Sequence, residues 1–107
     1  MFIQISTDNQ VDSDNIRDAR LEEQIRQRLA RFEERITDVE VHVSDPQGRE
    51  GGNGELRCTL EARMTGLHPV AVHEEGTSVD RAVLGAAKKA ARALDHQLGK
   101  LEGRRTG

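Results

Sequence analysis

The chain has almost no aromatic side chains. Phe2 and Phe32 are its only two, with no tyrosine or tryptophan among 107 residues. That excludes the base-stacking platforms that read single-stranded RNA, which need several exposed rings. A single cysteine, Cys58, excludes an internal disulfide and leaves no thiol partners for a zinc site of the usual kind. No apolar run approaches the ~20 residues of a membrane span. The opening "MFIQISTDNQ" has neither the basic start nor the continuous apolar core of a signal peptide. A cytoplasmic protein is expected. There is no internal repeat and no dividing linker, so the length predicts one domain with one modest core over residues 1–103 and a short disordered tail at 104–107.

What the chain does have is charge, unevenly spread. Charged residues make up 33% of it and the formal net charge is −3. Residues 1–76 carry 9 Lys and Arg against 16 Asp and Glu, whereas residues 77–107 carry 7 against 3. The basic end is concentrated in "GAAKKAARALDHQLGKLEGRR", residues 85–105. The distribution of charge, more than its sum, bears on function.

The order of elements follows from periodicity. "FIQIS" alternates and reads as a short first strand. From Ile16 to Arg35, Leu21, Ile25, Leu29, Phe32 and Ile36 recur at intervals of three or four, which predicts an amphipathic helix. "TDVEVHVSD" and "ELRCTLEARM" alternate strictly and predict two half-buried strands joined by the glycine-rich "DPQGREGGNG". A turn at "TGLH" leads to a further strand, "PVAVHEE". "GTSVD" then opens the last helix, with Thr77 as its cap and Asp80 three residues on. The β-α-β-β-β-α order predicts an α+β sandwich, two helices on one face of a four-stranded, mainly antiparallel sheet.

At 100° per residue, with Ala90 as origin, Val79, Val83, Ala86, Leu94 and Leu101 lie within about 40° and form the buried stripe of the last helix. Arg81, Lys88 and Arg92 fall opposite, at about 180°, 160° and −160°, and Lys89 and Lys100 at about −100° and −80°. On the first helix Arg17, Arg20, Arg28, Arg31 and Arg35 share one flank. Two readings stand for these stripes. One is an ordinary solvated surface with pairs such as Glu22–Arg26; the other is a polyanion-binding face, for which ~6 phosphate contacts would give strongly salt-dependent affinity.

The element order, "RLARFEERITDVEVHVSD" and "KKAARALDHQLGKL" together resemble the ribosome hibernation-promoting factor family, also called ribosome-associated inhibitors or ribosomal subunit interface proteins. The resemblance covers nearly the whole chain. It implies binding to the small ribosomal subunit in the channel for messenger and transfer RNA, through basic residues of both helices, with translation blocked under stress. Carried over by position, it implies rRNA contacts for Arg28 and Arg31 in "RQRLARF", for Lys88, Lys89 and Arg92 in "KKAAR", and for Lys100 in "QLGKL". Arg81 joins them by its place on the stripe. The chain departs from many members in lacking a tyrosine where the last helix opens ("SVDRAVLG"). It also has about one extra helical turn before "LDHQL" and a longer loop at 46–54. The second, ribosome-pairing domain of long members is not implied.

Other chemistry is weakly signalled. "GREGGNGE" lacks the Gly-Lys-Ser/Thr and following helix of a phosphate cradle, so a hairpin loop is expected. His42, Glu61 and His73 fall on the polar parity of their strands; as a set they would suit a metal or acid–base work, but decoration of a solvated sheet face is the plainer expectation. His68 and His96 have no evident partners, and Cys58 reads as a small core residue. The expectation is therefore no catalysis, no cofactor, no metal and no small-molecule substrate. A double-stranded-RNA-binding domain fits less well, because the lysine pair lies about ten residues inside the helix. The alternative from another class is a protein-interaction module that uses the open sheet face without binding RNA.

Overall fold

A computed structural model describes residues 1–8, 11–46 and 55–106, the side chains of 101–106 excepted. The strands are β1 (Phe2–Thr7), β2 (Ile36–Ser44), β3 (Leu56–Met64) and β4 (Val70–Gly76), and the α-helices are α1 (Asn15–Arg28) and α2 (Val79–Thr106). They form the α+β sandwich that the periodicity predicts, and the sheet order is β1-β2-β3-β4. β1 pairs with β2 in parallel and the other two pairings are antiparallel. β1 and β4 therefore point the same way, and α1 and α2, each returning from one of them, run parallel to each other. The glycine-rich stretch at 47–54 and Leu101 of the expected buried stripe lie outside the described structure or side chains.

The alternating strand residues divide as expected. Val39, Val41, Val43, Cys58, Leu60 and Ala62 are buried under the helices, together with Leu21, Ile25 and Leu29 of the first helical region and Val83, Ala86, Ala90 and Leu94 of α2. Gly66, in the β3–β4 turn, has φ of 74°, a left-handed conformation that favours glycine.

Three local expectations need correction. The first helix ends at Arg28, not Arg35, and the chain tightens into a 3-10 turn at Ala30–Phe32. Leu29 and Phe32, three apart, match the repeat of that turn as well as that of an α-helix, so spacing alone could not separate them. Ile36 is buried from β2 rather than from the helix. A register shift between Ile36 and Asp38 lets both Ile36 and Val39 face the core despite their odd spacing. Finally, Ser78 caps α2 in place of Thr77: its Oγ accepts from the Arg81 backbone N–H at 3.2 Å. The helix that positions the Arg17 flank is capped in the same way, by Asp14 accepting from Arg17 N–H at 3.0 Å.

Candidate nucleic-acid interface

The outer crest of α2 carries Arg81, Lys88 and Arg92, all exposed, directly away from the buried Val83–Ala90–Leu94 stripe. None of these side chains has an ion pair or hydrogen bond among the described residues. For Arg92 the carboxylate three residues on, Asp95, is taken by Arg31; for Arg81 and Lys88 the local sequence is the reason. Three and four residues from Arg81 and Lys88 stand only Thr77, Ser78, Leu84, Gly85, Ala91 and Arg92, so no carboxylate is within helical reach. Arg28 is also exposed and has no ion pair among the described residues, with no acidic residue at those spacings. Together with Gln24, Gln27 and Leu84 it lines a shallow groove between α1 and α2. Lys100, near the end of α2, is exposed and has no ion pair among the described residues.

Four other cations of the two stripes are engaged, whereas Arg35 is exposed with no side-chain ion pair among the described residues. Arg20 of α1 donates to Asp80 of α2 at 2.5 Å. Arg31, on the 3-10 turn, pairs with Asp95 of α2 and lies over the Phe32 ring with its guanidinium carbon 4.8 Å from the ring centroid. Arg17 is held by Asp18 and the Asp12 carbonyl. Lys89 turns away from the groove to the outer side of β4, donating to the His73 carbonyl at 2.9 Å beside Glu74 at 3.9 Å. The fold thus brings Arg28, Arg81, Lys88 and Arg92 around one groove and crest, places Arg31 at its rim in an ion pair, and sends Lys89 to the sheet edge. Sequence reasoning places Asp80 at the opening of the last helix and Asp95 as an interruption of its basic stripe, but pairs neither with an arginine of the first helical region. Their link to the arginines follows only once the helices are seen to run parallel, which brings like-ordered positions into register.

The opposite, open sheet face has the reverse disposition. Arg63 donates to Asp38 at 2.7 Å, Glu40 at 3.1 Å and Glu61 at 2.7 Å, and Arg57 pairs with Glu75 at 3.4 Å. The Arg63 guanidinium, with help from the Thr37 hydroxyl, holds the Asp38 carboxyl below the usual carboxylate range. Arg63 is correspondingly held more firmly protonated, chiefly by its bond to Asp38. Glu55 is pushed up by sharing a hydrogen bond with Glu75. His42 and His73 do share this face, but Thr59 stands between them in the register and each Nδ1 meets a hydroxyl, Ser6 at 3.0 Å and Thr59 at 3.2 Å. Glu61 is committed to Arg63. Among the described residues no three His, Cys, Asp or Glu side chains converge as metal ligands. Cys58 is fully buried and its thiol is pushed up to about 12, mainly by loss of water and secondarily by Glu74. That is the environment of a packing residue, not a nucleophile. Among the described residues no helix is long and apolar enough to cross a membrane.

The chain that builds this arrangement matches a known family. The model of the sigma 54 modulation protein / S30EA ribosomal protein family fits residues 6–104. The chain belongs to that family. Its fold is similar to that of the N-terminal domain of Protein Y from Thermus thermophilus, with a TM-score of 0.66 at 23% identity, covering 90% of this chain and 98% of that one. It is also similar to a ribosomal subunit interface protein from Coxiella burnetii, with a TM-score of 0.64 at 17% identity, covering 96% of this chain and 99% of that one. No curated protein sequence matches the chain.

Proposed function

We propose that this protein is a cytoplasmic ribosome-binding factor that lays its helical layer on the rRNA of the small subunit, occupies the path of messenger and transfer RNA, and holds translation off without catalysing a reaction. The observation that carries this reading is the set of unpaired cations on one side of the molecule: Arg28, Arg81, Lys88, Arg92 and Lys100 have no anionic partner among the described residues, while Arg57 and Arg63 on the other side are neutralised. Family membership directs that polyanion-binding face to the ribosome. Arg31 and Lys89, also expected to contact rRNA, sit at the periphery and would join after leaving their present partners. Basic side chains on a rigid helix suit phosphates, which give affinity without base reading. Five such contacts predict a log–log salt slope of about −4.

Co-sedimentation with purified small subunits across a salt series tests this. The wild-type protein should bind and be released as salt rises. Lys88→Glu with Arg92→Glu should weaken binding at least about tenfold and flatten the slope by about two. Folding should change little, since exposed substitutions usually cost within about 0.5 kcal/mol. A folded double variant with unchanged affinity and slope would mean that the crest is merely solvated. A stable complex with a protein, indifferent to nuclease and salt, would favour the interaction-module reading instead.

A further inference from the structure

We infer that Asp80 and Asp95 are built-in competitors of RNA phosphate: each holds one arginine of the first helical region and gives it up when a polyanion docks on the groove. This rests on the RNA-binding reading of the helical layer. It adds that the layer is held below its full affinity by its own carboxylates, and that Arg20 and Arg31 are reserve contacts.

Three features of the geometry point to this. Both pairs cross the seam between the two helical regions, Arg20–Asp80 at one end of the groove and Arg31–Asp95 at the other. The Gln24–Gln27–Arg28–Leu84 groove lies between them. All four side chains remain open to solvent, 51% and 42% for the first pair and 61% and 49% for the second. Such exposed pairs are weak and salt-screened, so an incoming phosphate can replace either carboxylate without a buried charge being stranded. The carboxylates also stand beside the unpaired cations. Asp80 adjoins Arg81, and Asp95 lies three residues beyond Arg92, within one helical turn. A phosphate drawn to the crest therefore arrives next to the anion that it must displace. Arg63, by contrast, is held by three carboxylates at once and has no unpaired cation shown beside it on its face.

The exchange is tested by a double-mutant cycle read as small-subunit affinity at fixed salt, with thermal melting as a folding control. Asp95→Asn should tighten binding about two- to fivefold, and Asp80→Asn with Asp95→Asn together by more. The decisive arm repeats Asp95→Asn in an Arg31→Gln background, where the tightening should nearly vanish because there is no arginine left to release. Equal tightening in both backgrounds would mean that only bulk charge had changed, and no tightening in the wild-type background would mean that the carboxylate does not compete; either overturns the inference. Asp80 lies in the first turn of α2, where a carboxylate also favours the helix, so Asp95 alone decides the matter if the Asp80 variant melts early. The two readings fail separately. Loss of the Lys88/Arg92 effect sinks the RNA face itself, whereas a retained Lys88/Arg92 effect with no Asp95–Arg31 coupling sinks only the competition.

Discussion

The helical layer and the open sheet face use the same kinds of charged residue and leave them in opposite states. On the sheet, cross-strand register sets side chains directly opposite each other, and Asp38 faces Arg63 while Arg57 faces Glu75. Pairing there is a by-product of strand alignment. On the crest of α2 the neighbours are three and four residues away, and around Arg81 and Lys88 those positions are apolar, small or basic. Charge stays unpaired at Arg81 and Lys88 because helical spacing offers no carboxylate, and at Arg92 because Asp95 is held by Arg31. The seam between the helices is intermediate, with each arginine satisfied only from the other helix. The difference teaches that segment charge is a poor measure of binding capacity. What counts is how many cations the fold leaves without a partner.

The contrast depends first on the sheet being covered on one side and open on the other, and Cys58 reports this with the largest expected effect. It is fully buried between β3 and α2, with its thiol raised to about 12. At pH 8 a thiol reagent should label the folded protein at least about a thousandfold more slowly than the denatured chain, since burial removes both access and thiolate. Labelling of the native protein within seconds would mean that the helical layer does not seal this face.

Single charge reversals then compare the faces directly. Lys88→Glu should weaken small-subunit binding about fivefold or more, while Arg57→Glu on the sheet should change it less than about twofold. Equal losses would indicate that the whole molecule acts as a diffuse charge and that the unpaired crest has no special role.

The junction of the two layers supplies a smaller effect. A Cβ on Gly76 would lie 2.8 Å from the backbone nitrogen of Ala82, where β4 turns into α2. Backbone cannot step aside as a side chain can, so Gly76→Ala should destabilise the fold by about 1–3 kcal/mol in urea unfolding. Gly99, on α2, has nothing within 4 Å of such a Cβ. Gly99→Ala should stabilise by about 0.5–1 kcal/mol, as alanine does within a helix. Identical shifts for both would show that close approach at the junction does not matter.

These residues also mark how far the sequence was legible. Period-two alternation located β2, β3 and β4, because a strand with one buried face must repeat at two, and the 100° helical step correctly put Arg81, Lys88 and Arg92 outside. The end of α1 is not legible in the sequence, since Leu29–Phe32 spacing suits a 3-10 turn and a helix alike. Nor is the place of Ile36 in β2, because a bulge changes the strand's phase. The states of Arg20, Arg31 and Lys89 were not legible, because their partners Asp80, Asp95 and the His73 carbonyl are 60, 64 and 16 residues away. Intra-element spacing says which way a side chain points. Only the packing of elements says what it meets there.

The smallest expected effect sharpens the sheet side of the comparison. Asp38 accepts from Arg63 and from the Thr37 hydroxyl, and its carboxyl is held below the ordinary value of 3.8. A lowered folded-state pKa means that the folded protein holds this proton less tightly than the unfolded chain does. Its contribution to stability is therefore fully present above the unfolded pKa and is lost as pH falls through the folded one. Thermal melting of the wild type and of Asp38→Asn should accordingly differ most near neutral pH and converge in acid, as pH falls below the ordinary value of 3.8 and through the lowered folded-state one. The gap should be slight even at its widest, because the pair is exposed and Glu40 and Glu61 remain to hold Arg63 when Asp38 is gone. A melting difference that stays constant down to pH 2.5 would show that Asp38 acts through its shape or its place in the bulge, and not through its charge on Arg63. The carboxylate network of the open face would then be an arrangement without electrostatic consequence, and the contrast with the helical layer would rest on the unpaired cations alone.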